Sequence, residues 1–283
     1  MNNLSSIFNI TNPLLISLCG SILATITALI TRLIFYRIRD SLPAGALFNK
    51  IKDSENPCLV FILRMKDIQK SGTFITPIPN YLAVQENIND FEEVHYEERK
   101  NTPWVSSALD TQGMAHIFNV LGRIGRTKNI QVTFPDRDFD KWDAPMFLLG
   151  GTWKTSRALK TCRHYYEYGN NGFKLIPEDK TFNPQSNIEE DMGLLEKMIN
   201  PSNGFPIWII AGRRGAGTTA AAYTLLRLWR YLGLIYGKKP FGLLVSFSDR
   251  DGWQTSKIIS IYPNPNWMTK LLHPIAWNKL KKY

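Results

Sequence analysis

The sequence predicts an α/β domain with a mainly parallel sheet flanked by helices, preceded by one membrane-spanning helix. Three observations carry this. Apolar strand-like runs alternate with helical patterns over about 200 residues. Two of those runs end in glycines and pass directly into helices. The chain also opens with nineteen consecutive uncharged residues, Pro13 to Thr31.

The apolar opening comes first in order. Arg32 is followed by LIFY, and an arginine near a helix end can extend its head toward the interface. Counted to Tyr36, the segment has 24 residues, or about 36 Å of helix against a hydrocarbon core of about 30 Å. A secretory signal peptide would begin with a basic region, whereas residues 1–12 carry no charged side chain. A core helix is the remaining reading of the same run. Arg32, Arg37, Arg39, Lys50 and Lys52 all follow the uncharged stretch, which places residues 1–12 outside and the rest in the cytoplasm. Gly20, Ala24 and Ala28 share one helix face, a spacing that permits a homodimer through this segment.

Residues 37–56 read as a juxtamembrane linker, on Pro43, Gly45, Asp53 and Ser54. The domain is expected over 57–263. Pro57 to Leu63 reads as a strand buried on both faces. TFITPIPNYLAV holds two prolines and reads as an edge or extended loop. Asn87 to Lys100 is polar and acidic. Asp110 would cap a helix running to about Gly125, with Met114, Ile117, Phe118, Leu121 and Ile124 on one face. Strands follow at Ile130–Phe134 and Pro145–Gly151. TWKTSRALKTCRHYYEYG reads as a helix closed by Gly169. GFKLIP, DMGLLEKMI, IWIIAG, FGLLVSFSD and SKIISIYP read as further strands. Residues 264–283 form a basic and aromatic tail suited either to a bilayer interface or to packing on the domain.

The two glycine corners are the candidate site. The first follows FLL and supplies Gly150, Gly151, Thr152, Lys154, Thr155, Ser156 and Arg157. The second follows IWIIA and supplies Gly212, Arg213, Arg214, Gly215, Gly217, Thr218 and Thr219. Glycine lets backbone approach a ligand, and the helix N-terminus that follows favours an anion. If both corners open on one edge of the sheet, they could grip one phosphorylated ligand, with Lys154, Arg157, Arg213 and Arg214 balancing its charge.

The spacing also limits the chemistry. Gly212 and Gly217 stand as in a Walker A loop, but Thr218 replaces the lysine. Only about 64 residues follow, too few for a P-loop core. Gly215, Gly217 and Ala220 match the Rossmann variant G-x-G-x-x-A, whose acidic partner is expected about 20 positions on; Asp249 comes later. The row Ala220, Ala221, Ala222 also suits plain close packing of helix on sheet.

Other side chains point to less. Asp136, Asp138 and Asp140 have calcium-loop spacing, but Lys141 replaces the glycine and Leu148 the final carboxylate. His164 and Glu167 read as a capped helix terminus. Cys19, Cys58 and Cys162 form no CxxC pair, which fits a reducing compartment without a disulfide or zinc framework. The net charge is +10, of which the first forty residues hold +2. That balance suits a phosphate-bearing ligand, anionic lipid or nucleic acid. Arg157, Lys160, Arg163, Arg227 and Arg230 read as solvated helix faces, so nucleic acid is not favoured. No cofactor or metal is expected.

FLLGGTWKTSRALK paired with IIAGRRGAGTTAAA resembles the Rossmann-like nucleotide-sensor domains of prokaryotic conflict systems, the TIR-like and SLOG-like groups, over roughly Pro57 to Pro263. The resemblance implies recognition of a nucleotide or nucleotide-derived signal, with a membrane segment as effector or tether. No TIR-type catalytic glutamate follows the glycine strand, so NAD cleavage is not implied. The expectation is a membrane-anchored cytoplasmic sensor binding a nucleotide or other phosphorylated small molecule. The alternatives are a nucleotide hydrolase or glycosyl-bond-cleaving enzyme, and a non-catalytic tethered scaffold.

Overall fold

A computed structural model describes residues 13–52, 55, 57–62, 108–133, 143–150, 158–168, 172–184, 190–248 and 250–283. The chain divides into two compact units, Met1–Leu42 and Pro43–Tyr283.

The first unit contains helix α1, Pro13–Tyr36, followed by a π-helical turn, Arg37–Ser41. α1 is long and apolar enough to cross a membrane, and residues 16–39 are exposed throughout. Three of its hydroxyls are satisfied within the helix. Ser21 donates to the Ser17 carbonyl at 3.0 Å, Thr25 to Ser21 at 2.9 Å and Thr27 to Leu23 at 2.8 Å. Such back-bonding removes the cost of carrying a hydroxyl into an apolar phase. At the basic end, Arg39 donates twice to the Asp40 carboxylate, both at 3.2 Å.

Helix α2, Leu42–Leu47, leads into the second unit, and α3, Asn49–Lys52, follows. These residues were expected to be a linker. Instead Ala44, Leu47, Phe48 and Ile51 are buried in the core. Proline is tolerated in a first helical turn, so Pro43 does not break α2. Gly233 makes room for it, because a Cβ there would strike the Pro43 backbone.

Seven strands form the main sheet: β1 Cys58–Phe61, β2 Ile130–Thr133, β3 Met146–Leu149, β7 Glu190–Ile199, β8 Pro206–Gly212, β9 Phe241–Ser248 and β10 Lys257–Tyr262. Their order is β10-β9-β7-β8-β3-β1-β2. The pairs β1–β2, β1–β3 and β3–β8 are parallel. The pairs β7–β8, β7–β9 and β9–β10 are antiparallel. The sheet is therefore mixed rather than mainly parallel throughout. β2, β1, β3, β8 and β9 share one direction, while β7 and β10 oppose it. The reversal at β7 comes from a short hairpin: the Asn200 amide donates to the Phe205 carbonyl at 2.9 Å, and Gly204 turns the chain at φ +69°.

Both faces of the sheet's centre are covered, which is why β1, β3 and β8 read as continuous apolar runs, while the edge strands β2 and β10 are partly exposed. One face carries α4, Ala108–Arg123, and α5, Gly215–Ile235, over Val60, Phe147, Leu195, Trp208, Ile210 and Val245. Trp208 is its centre, stacked on Phe48 with ring centroids 5.2 Å apart and on Phe147 at 5.7 Å. The other face carries a small antiparallel sheet, β4 Tyr166–Tyr168, β5 Phe173–Leu175 and β6 Lys180–Phe182. It packs Tyr166 and Phe173 against Leu59, Leu148, Leu194 and Ile209.

The helix expected to reach Gly169 ends earlier; residues 158–161 are helical and β4 follows. Tyr166 is drawn into the sheet, where it fills the space left by Gly242 and its hydroxyl lies 2.8 Å from Ser260 Oγ. Asp110 lies inside the first turn of α4 and is buried. The C-terminal tail forms α6, Trp267–Leu272, and α7, Pro274–Lys282, and Ala276 and Leu280 of α7 enter the core. The segments Thr73–Val84 and Asn87–Lys100 lie outside the described residues.

Candidate functional site

The two glycine corners lie on neighbouring parallel strands. β3 and β8 run in register from Met146↔Ile207 to Leu149↔Ile210. Both corners therefore leave the sheet at its carboxyl edge. Beyond the last ladder pair, the Gly150 amide still donates to the Ile210 carbonyl at 2.8 Å. Gly150 has φ +78°, a conformation that side-chain-bearing residues rarely adopt. Gly151, Thr152, Lys154, Thr155, Ser156 and Arg157 lie outside the described residues. The chain leaves β1 to form β2 on one side and returns to form β3 on the other. The strand order thus reverses at β1, beside this corner.

The second corner is described in full. β8 ends at Gly212, Arg213 and Arg214 cross the edge, Arg214 in extended backbone, and α5 begins at Gly215. The Arg213 amide donates to the Met192 carbonyl at 3.1 Å; those of Gly217 and Thr218 donate to the Arg214 carbonyl at 3.0 and 3.3 Å. The amides of Gly215 and Ala216 donate to no group among the described residues. They sit at the positive end of a 21-residue helix, where an anion is favoured.

Three glycines make this corner tight. Gly193 of β7, Gly212 of β8 and Gly217 of α5 approach so closely that a Cβ on any of them would collide with backbone. On Gly193 it would meet the Gly217 carbonyl, on Gly212 the Gly217–Thr218 peptide, and on Gly217 the Met192 carbonyl. Ala220, Ala221 and Ala222 continue the same close seat of α5 on the sheet and are wholly buried.

The side chains of the corner divide by role. Thr218 and Thr219 are buried. The Thr219 hydroxyl reaches the carbonyl of Leu109 at 2.6 Å and that of Gly215 at 3.2 Å, so it ties α5 to α4. Arg213 faces a carboxylate the sequence did not single out: its Nε is 3.9 Å from Asp191 Oδ1. Asp191 is wholly buried and accepts the Met192 amide at 2.8 Å. Part of the cationic charge at this edge is therefore balanced within the protein. Arg214 stands at the N-cap of α5.

Two more ionisable side chains escaped the sequence reading. Glu196 and Lys197 lie mid-strand in β7 and are buried. Glu196 accepts the Tyr165 amide at 2.5 Å, and burial pushes its carboxyl up to about 8. Lys197 donates to the carbonyls of Leu47 and Gly237, each at 2.9 Å, and burial lowers it to about 7. The signal was available: a Glu-Lys pair inside the apolar run DMGLLEKMI. Neither side chain reaches solvent, so neither is placed to act on a substrate.

His164 Nδ1–H donates to the Cys162 carbonyl at 3.1 Å, and Nε2 lies 3.9 Å from Glu167. That is a satisfied end for the helix at 158–161. Among the described residues, no group of three His, Cys, Asp or Glu side chains is placed to hold a metal; Asp136, Asp138 and Asp140 lie outside them. Cys58 and Cys162 are buried free thiols, and burial raises Cys58 to about 12. The chain matches no protein-family model and no curated protein.

Proposed function

We propose that this chain is a membrane-anchored sensor whose second unit binds a nucleotide or other phosphorylated small molecule at the carboxyl edge of its Rossmann-like sheet. One observation carries the reading: the glycine corners after β3 and β8 stand side by side, joined by the Gly150–Ile210 hydrogen bond. In open α/β sheets, ligands bind beyond the carboxyl ends of strands where the order reverses.

The donors offered are the backbone amides of Gly215 and Ala216, with Arg214 beside them. The Thr219 hydroxyl is taken up by the Leu109 and Gly215 carbonyls, which leaves Thr218 as the threonine of this corner proposed to meet the ligand. Lys154 and Arg157, on the first corner, complete the proposed charge balance. α1 anchors the unit as a single-pass helix, with residues 1–12 outside and the α/β unit cytoplasmic, as the arginines after the apolar run favour. Self-association along Gly20, Ala24 and Ala28 would let ligand occupancy alter pairing of the anchors.

A second reading has its own support. The mutual fit of Gly193, Gly212 and Gly217 is also what a scaffold needs to seat a helix on a sheet. A hydrolase would need an acid at this edge, and Asp191 is the carboxylate beside the second corner. Thermal unfolding of the full chain in nanodiscs, with a panel of nucleotides, separates the three. A ligand at 100 times its dissociation constant adds about 2.7 kcal/mol. A rise in Tm that is lost in Arg214→Ala supports the sensor. No shift with any nucleotide supports the scaffold, and product formation supports the enzyme.

A further inference from the structure

The most exposed large apolar side chains of the second unit are gathered in one place. Trp267 is 71% exposed, Met268 51%, Leu271 68%, Leu272 67% and Ile275 75%. Elsewhere among the described residues of this unit, none exceeds Val132 at 44%. The first four fall at i, i+1, i+4 and i+5, so they share one side of α6. They are held out on a fixed platform. Asn266 caps α6 by accepting the Thr269 amide at 2.8 Å. Ala276 and Leu280 pin α7 into the core, and the Ile258 amide donates to the Tyr283 carbonyl.

Cations border this apolar surface. The Trp277 ring has Lys270 Nζ 4.9 Å from its centroid and Lys281 Nζ 5.5 Å away; Lys279 and Lys282 are exposed in the last turn. Residues 252–283 contain five lysines and no aspartate or glutamate. We infer that α6 and α7 form a docking surface for an anionic bilayer, with Trp267, Met268, Leu271, Leu272 and Ile275 entering the acyl boundary and the lysines meeting lipid phosphates. Nucleic acid would satisfy the lysines but offers no apolar phase for Leu271, Leu272 and Ile275. A second copy would bring two lysine clusters together. A bilayer satisfies both halves of the surface. The apolar α1 in the same chain strengthens the case, because a tether raises the local concentration of membrane and lets a weak contact suffice. The inference stands whether or not the glycine corners bind a ligand.

The full chain, with Cys19→Ser to leave only the buried cysteines, would carry a nitroxide at Leu271→Cys. It would be reconstituted into phosphatidylcholine vesicles with and without phosphatidylglycerol. The ratio of label collisions with oxygen to collisions with a water-soluble nickel complex reports depth. A severalfold higher ratio with phosphatidylglycerol, abolished when Lys279, Lys281 and Lys282 are changed to Glu, is expected. Leu271 is exposed, so the substitution leaves the core intact. A water-like ratio in both vesicles overturns the inference, as does an equal depth in both. Spin–spin broadening that follows protein density and not lipid composition also overturns it, assigning the surface to a second copy.

Discussion

Glu196 and Lys197 are consecutive residues of β7, both buried, and they project to opposite faces of the central sheet. Glu196 lies under the small sheet, held by the Tyr165 amide at 2.5 Å. Lys197 lies under the helices, bonded to the Leu47 and Gly237 carbonyls, with its ammonium 5.7 Å from the Trp208 ring centroid. Neither neutralises the other, so each titrates against its own surroundings.

For Glu196, burial raises the folded-state carboxyl to about 8 from an ordinary 4.5. The folded protein holds the extra proton between these values. Its contribution to stability is full below pH 4.5 and is lost as pH rises through 8. Glu196→Gln removes the titration while keeping the shape. Relative to this variant, the wild type is expected to lose on the order of a few kcal/mol across that window. Paired Tm measurements against pH check it; parallel curves would contradict it.

Lys197 behaves in the opposite sense. Burial lowers it to about 7 from 10.5. Its contribution is full above pH 10.5 and is lost as pH falls through 7. Lys197→Met is expected to be less stable than wild type at alkaline pH, where the variant leaves two carbonyls unpaired. The gap should narrow toward pH 7. Denaturant midpoints of both proteins at several pH values test this. Together the two groups give a stability minimum between about pH 7 and 8.

Gly217→Ala and Gly193→Ala are each expected to destabilise the protein by roughly 2 kcal/mol or more, since the new methyl meets backbone that cannot rotate away. Gly45→Ala, where a Cβ meets nothing within 4 Å, is the matched control and is expected to be neutral or slightly stabilising. Urea midpoints for the three variants check the contrast.

Thr219→Val keeps the volume and removes the hydroxyl that joins α5 to the Leu109 carbonyl. A loss of about 1 kcal/mol is expected. Any ligand-induced gain in Tm should survive this change. A loss of the ligand response with stability preserved would return Thr219 to the binding site.

Much of the fold was legible because β1, β3, β8 and β9 are buried on both faces, so their sequences are uninterrupted apolar runs. Glycines then marked where β3 and β8 end. The order of the strands was not legible, since apolar runs carry no direction. The reversal at β7 had one local signal, Asn203-Gly204, a turn-forming pair between two strand-like runs. β4 and β6 have three residues each, too few to show a period. The α2–α3 segment was hidden by Pro43 and Gly45, which read as breakers although a first helical turn tolerates both. At the candidate site, sequence spacing identified the corner residues. It could not show that Gly212 and Gly217 face each other, or that Asp191, twenty-two positions before Arg213, stands beside it.

α5 begins at the second glycine corner and runs about 31 Å to its far end, where Gly233 sits against Pro43 at the start of the second unit. The corner and the root of the domain are thus the two ends of one stiff rod. Lys197 bolts that far end down, gripping Leu47 from one helix and Gly237 from just beyond the other. A shift of α5 at the corner would therefore be felt at α2, where Gly233 leaves no room for even a methyl group.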